Sequence, residues 1–196
     1  MGSVFIIDPL YTLPLLVGGG WALATHGSAR GLAANVAGLV LSTAYLVWGV
    51  AAQQLVDRIA RASLATQGIA AERVLVTPTA FNSLLWRVVA VAGEHYHEGF
   101  YSLLDAAPRV TFDRFDRGSA LATELQGVEG VQRVAAFSNG FYKVRQEGSR
   151  VLVSDLRMGQ EPSYFFTFAV AERRSEPVPL DLAADGLDRE TEEVGD

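Results

Sequence analysis

The densest group of titratable side chains in the sequence is Glu94-His95-Tyr96-His97-Glu98. In an extended strand His95 and His97 project to one face, and two imidazoles at that spacing can ligate zinc or a similar ion when a third ligand arrives from elsewhere. Nothing identifies that third ligand, and the segment falls where a hairpin turn is expected, so a solvated turn is the plainer reading. Asp155 and Arg157 also share a face if extended, near Lys143 and Arg145 of the preceding strand. Cross-strand ion pairing accounts for them. The alternative is a face that meets a substrate or anionic lipid headgroups, because Arg grips carboxylate or phosphate through two parallel hydrogen bonds. His26 stands alone as a polar loop residue. The aromatic series Tyr164, Phe165, Phe166 and Phe168 reads as sheet core rather than a ligand platform.

Other chemistries find no residues to carry them. The chain has no cysteine, which excludes disulfides, thiolate metal sites and a cysteine nucleophile and fits either redox compartment. It has no Gly-rich phosphate loop, no nucleophile elbow and no H-E-x-x-H helix. The net charge of −6 is misleading, because the stretch from Glu176 onward carries −7 and leaves the rest at +1. An acidic tail of this composition reads as disordered, and the remainder carries no basic patch of the kind nucleic acid requires. Fifteen of the sixteen basic residues are Arg; Lys143 is the lone lysine.

The elements that must position these groups begin in an apolar region, since residues 1 to 52 hold only Asp8 and Arg30 as charged side chains. A first span is expected over Leu10 to Thr25, extendable back through Val4 to Ile7. Sixteen helical residues rise about 24 Å against a hydrocarbon core of about 30 Å, so spanning needs that extension, local thinning or a hairpin with its neighbour. Pro14 and Gly18-Gly19-Gly20 are tolerated when a neighbouring helix covers the backbone. The second span, Leu32 to Ala52, has 21 uncharged residues. Ala34, Gly38 and Ser42 place small side chains on one face of it, and Tyr45 and Trp48 lie near one end as interface aromatics do. The helix is expected to continue through residues 53 to 67 and stop at Gly68. The start of the chain lacks the basic leader and cleavage site of a signal peptide. Arg58, Arg61 and Arg73 after the second span, against Arg30 in the loop, place the C-terminal domain on the cytoplasmic side.

From Arg73 onward short apolar runs broken by turn signals predict an antiparallel sheet. Residues 73 to 77 form one strand; Leu84 to Ala92 and Phe100 to Leu104 flank the EHYHEG turn; Val110 to Phe115 adds an edge. Ser119 to Gln126, with Ser119 as N-cap, and Val128 to Phe137 read as short helices. Gly140 to Gln146, Arg150 to Leu156 and Tyr164 to Glu172 form a meander with turns at QEGSR and RMGQEPS. The expected fold is a membrane-anchored α+β protein: two N-terminal transmembrane helices over 1–56, a mainly antiparallel sheet domain with two short helices over 57–174, and an acidic tail over 175–196.

The segments IIDPLYTLPLL (6–16), LVTPTAFNSLLWRVV (75–89), EGFYSLLD (98–105), FSNGFYKV (137–144) and VSDLRMGQEPSYFFTF (153–168) together resemble one family. They are similar, in order and spacing, to the C-terminal two thirds of bacterial inner-membrane proteins described as membrane-bound metal-dependent hydrolases. The resemblance implies a multi-span protein of the bacterial inner membrane that uses a divalent metal, with the lipid bilayer and further transmembrane helices of the same protein as its partners. It also implies that the metal is held by an N-terminal His- and Asp-rich half with P-D-x-D-like and H-R-x-x-S/T-H-S-like stretches. This chain has neither, so no ligand carries over, and it is expected to be inactive alone. It reads either as part of a longer protein or as a short form that keeps anchor and domain. In the whole family Asp8 could face the metal-bearing region; an interfacial cap at the helix start is the plainer reading. A non-catalytic membrane-anchored interaction or regulatory domain is the alternative function. The substrate stays open.

Overall fold

The computed structural model describes residues 8–80 and 82–172. The expected extension through Val4 to Ile7 and the acidic tail lie outside them. A helical hairpin comes first: α1 (Pro9–Ala24) and α2 (Ala29–Thr66). Asp8 caps α1, its Oδ1 accepting from the Leu10 amide at 2.9 Å with Pro9 in the first turn. Ser28 caps α2 through the Gly31 amide, and Gly68, at φ 69°, follows its end.

One stripe runs the length of α2: Gly31, Gly38, Ser42, Gly49, Ala52, Val56, Ala60 and Ser63 are all buried. Its first half meets α1. A Cβ on Gly38 would come within 2.4 Å of the Pro14 carbonyl oxygen, and one on Gly18 within 2.7 Å of that of Ala34, so both backbones approach closely only because these residues lack side chains. Ser42 Oγ donates to the Tyr11 carbonyl at 2.8 Å across the same contact. In the second half the stripe changes to Ala52, Val56 and Ala60 and packs on a sheet. Among the described residues α2 is the helix long and apolar enough to cross a membrane; α1, at 16 residues, is shorter. Only 17% of the most apolar stretch of α2 is buried.

The sheet comprises β1 (Arg73–Pro78), β2 (Leu85–Ala92), β3 (His95–Ser102) and β4 (Phe112–Asp116), antiparallel and in that spatial order. Trp86 through Val91 are buried throughout, because β2 has α2 on one face and the rest of the domain on the other. EHYHEG is therefore mainly strand. The reversal is confined to Gly93 and Glu94, where Gly93 adopts φ 55°, and burial of the Tyr96 ring draws the chain straight into β3.

Two short helices follow, α3 (Ser119–Glu124) and α4 (Glu129–Phe137). Ser119 is the first helical residue and not the cap; Gly118 takes the N-cap position at φ 68°, and a Cβ there would strike the Val144 carbonyl oxygen. A second antiparallel sheet holds β5 (Tyr142–Glu147), β6 (Arg150–Asp155) and, beyond a small two-stranded ribbon, β9 (Thr167–Glu172). The ribbon, β7 (Gly159–Gln160) and β8 (Ser163–Tyr164), stands where a simple turn was expected. Val131 and Val134 of α4 pack on Val144, Val151 and Val153, while Phe141 and Leu156 join the second sheet to the first through Leu75, Val89, Val91 and Tyr96. Of the aromatic series only Tyr164 packs against this core. Phe165, Phe166 and Phe168 are exposed, and Phe166 and Phe168 stack on one another. Among the described residues β9 is a sheet edge, and α4 reaches it near Val170. The α+β class with antiparallel sheets thus follows the sequence reading.

Candidate functional site

Strand alternation divides His95-Tyr96-His97-Glu98 between the two faces of the first sheet, with Glu94 left in the reversal. Tyr96 and Glu98 face the second sheet. In the β2–β3 register Val89 stands opposite Glu98 and Arg87 opposite Phe100, so Arg87 and Glu98 are diagonal neighbours on that face. Arg87 Nε donates to Glu98 Oε1, with both side chains at least nine-tenths buried, and Nη1 donates to the Leu156 carbonyl at 2.9 Å. Glu98 Oε2 accepts the Glu161 amide at 3.1 Å. Lys143, reaching in from β5, pairs with the Glu161 carboxylate, which also accepts from the Tyr96 hydroxyl. The Lys143 ammonium sits 4.7 Å from the centre of the Tyr164 ring.

Two cations and two carboxylates thus share one buried space in a neutral set. Burial pushes Lys143 down to about 8, with Arg145 adding to the effect and Glu98 opposing it. It also raises the Glu161 carboxyl, against a hydrogen bond from Tyr164 and the charge of Arg87, and it raises the Tyr164 phenol, helped by Glu98. Arg87 Nη2 is buried with no hydrogen-bond partner among the described residues. Chemically this is a clamp between two sheets. The lysine has the depressed pKa of a nucleophile or base, but its amine lies against Glu161 and two phenol rings.

Asp155 lies at the end of β6 opposite Tyr142, and Arg157 lies just beyond the strand. They pair with each other and with neither Lys143 nor Arg145. Asp155, 1% exposed, accepts from Arg157 Nη2 at 2.7 Å, from its Nε at 3.0 Å and from its amide at 2.9 Å, and the guanidinium covers the Phe137 ring at 4.7 Å. The fork that could grip a phosphate is committed within the chain. Lys143 has Ser154 as its strand partner and finds its carboxylate at Glu161, while Arg145 pairs with Glu147 at 3.2 Å on the surface.

His95 and His97 occupy the opposite face, where they line a groove of about 730 Å³ with Gln67, Gly68, Phe112 and Arg114. Burial lowers the His97 pKa, and His95 and Arg114 lower it further. Arg114 stands directly opposite His97 in the β3–β4 register. A guanidinium beside two imidazoles repels a cation, and the groove lining supplies no carboxylate, so the donor set does not fit a divalent metal. Asp8, 4% exposed, is occupied by its cap and by the Tyr45 hydroxyl, 2.5 Å from Oδ2. His26 sits in the hairpin loop with φ 45°. No group of three metal-ligating side chains forms among the described residues.

Sequence reasoning missed Arg87, Glu161 and the joining role of Lys143. The available signals were a single lysine in an arginine-rich chain and a charged residue inside the otherwise apolar run of β2. No protein-family model, curated protein or solved structure matches the chain.

Proposed function

We propose that the chain is the anchor-and-domain portion of a membrane-bound metal-dependent hydrolase of the bacterial inner membrane, and that it performs no hydrolysis by itself. In this reading α1 and α2 both sit in the bilayer, and the sheet domain lies on the cytoplasmic side. The observation that carries the anchor is the hairpin surface: Leu10, Leu13, Leu16, Val17, Leu32, Val36, Leu39, Val40 and Leu41 are all exposed. A soluble core helix buries such residues, whereas lipid is a natural neighbour for them. The hydrolase assignment is supported by the resemblance alone. Six of the eight charged side chains of the resembling segments, Arg87, Glu98, Lys143, Asp155, Arg157 and Glu161, fall in two internally paired clusters, while Asp8 and Asp105 lie elsewhere. The clusters read as a rigid support for a metal centre supplied by other helices.

Two measurements test this. Carbonate washing of membranes should leave the chain in the pellet, and release into the supernatant would remove the anchor. A panel of ester and phosphoester substrates with divalent metals should show no turnover by the purified chain; metal-dependent activity that survives purification would overturn the second half. The open groove at His95, His97 and Arg114 favours one alternative, a non-catalytic domain that takes a partner there. Arg114→Glu would then abolish specific co-purification of that partner from detergent extracts.

A further inference from the structure

The register fixes which end of the sheet domain faces the hairpin. Ser83 reaches the Tyr45 hydroxyl, at the level of the α1 cap, and Gln53 donates to the Val76 carbonyl at 2.8 Å. Farther along α2, Gln67 donates to the Val110 carbonyl and lines the groove with Ala92 and His95. β2 therefore runs away from the hairpin alongside α2. Its near end is formed by the loop before Leu85 and, through the pairing of Leu85 with Ser102, the loop after β3.

Leu84 and Leu104 are exposed at that near end, Leu104 at 77%. On α2 the exposed apolar side chains do not stop at the level where α1 begins but continue through Leu46, Val47, Trp48 and Val50, and the first charge of that helix beyond the hairpin is Asp57. Val50 lies five residues past Tyr45, about 7.5 Å of helix rise. The apolar zone around α2 thus extends to the height at which the two leucines emerge. Several backbone groups of the described loop residues are also paired from within. Asn82 Oδ1 accepts the Leu84 amide at 2.7 Å, the Leu84 carbonyl accepts the Leu103 amide at 2.8 Å, and Ser102 Oγ accepts the Leu104 amide at 3.2 Å. Asp105 Oδ2 accepts the Ser102 amide at 3.0 Å. Loops whose polar backbone is paired internally lose little on leaving bulk water.

We infer that the sheet domain is seated on the bilayer, with Leu84 and Leu104 inserted at the lipid interface beside Trp48 and Val50; this rests on the reading of the hairpin as a membrane anchor. The domain is then held upright at two points, the helix exit and the leucine loops, rather than swinging on one helix.

The absence of cysteine makes single labels unambiguous. Nitroxide labels on Leu104→Cys, Val40→Cys and Ala70→Cys, each at an exposed position, are to be compared in vesicles of phosphatidylethanolamine and phosphatidylglycerol for accessibility to oxygen and to a water-soluble nickel chelate. Val40 should report hydrocarbon and Ala70 water. Leu104 should lose nickel accessibility relative to Ala70 and gain oxygen accessibility. A Leu104 label as water-accessible as Ala70, with Val40 in hydrocarbon, overturns the seating alone. A Val40 label in water overturns the anchor and the seating with it.

Discussion

On the face of the four-stranded sheet turned toward α2, His95, His97 and Arg114 border an open groove. On the opposite face Tyr96 and Glu98, from the same strand, close with Arg87, Lys143 and Glu161 into a largely buried neutral set, fully enclosed at Arg87 and Glu98 and partly at Lys143 and Glu161. Four consecutive residues, His95 to Glu98, therefore serve opposite purposes, divided only by the two-residue period of a strand. The difference lies in what replaces water. The buried face gives each cation a carboxylate, so removing one partner strands the other in a poorly polarisable interior. The groove leaves the exposed Arg114 guanidinium to solvent, which screens it and makes it individually dispensable.

The largest break in that contrast is expected from Arg87→Met. It leaves Glu98 buried with the Glu161 amide as its remaining described partner, a loss of about 3–5 kcal/mol in unfolding free energy. Replacing both partners, as Arg87→Met with Glu98→Leu, should recover most of that loss, because an apolar pair of similar volume carries no stranded charge. Denaturant unfolding in mild detergent measures both. A cost for Arg87→Met no greater than that of a surface substitution would mean that the pair is not enclosed.

Lys143 sharpens the same contrast through pH. Its folded value of about 8 lies below the ordinary 10.5. Between those two values the unfolded chain holds the extra proton, so this group makes the fold more stable as pH rises from 8 toward 10.5. Below 8 both states are protonated and the cost of burying the charge is fully present. Lys143→Met should flatten the rise between pH 8 and about 9, a window below the titration of ordinary tyrosines. Thermal midpoints read at intervals across it decide the matter, and an unchanged slope in the variant would show that another group carries it.

How far the sequence could foresee this division differs from element to element. The extended α2, its stop near Gly68 and the β5–β6–β9 meander follow from patterns local to the chain: an uncharged run, a glycine able to take positive φ, and alternating strands around QEGSR. The facing of His95 and His97 was legible from strand period. Their placement inside β3 was not, because burial of Tyr96 against residues far along the chain overrides the polar character of EHYHE. The clamp was hidden for the same reason. Arg87 reaches Leu156 across 69 positions and Glu98 meets Glu161 across 63, and no local spacing encodes such partners. Lys143 and Asp155 were visible as charges, but strand neighbours were assigned to them where the ribbon and the turn after β6 supplied the partners.

The smallest effects belong to the groove. His97 is 9% exposed, and its pKa is held below 6.5 by burial first and by His95 and Arg114 after that. As pH falls through 6.5 the unfolded chain takes up the proton before the folded one, so this group's share of stability is lost on the acid side. His97→Gln should remove that loss, a change of about 1 kcal/mol or less. His95→Gln, at the outer and more hydrated position, should leave stability within about 0.5 kcal/mol. The two variants followed together by thermal unfolding separate a solvated groove from a second buried cluster. If His95→Gln proved as costly as Arg87→Met, the groove would have to be closed by a partner engaged in solution, and the contrast between the two faces would disappear.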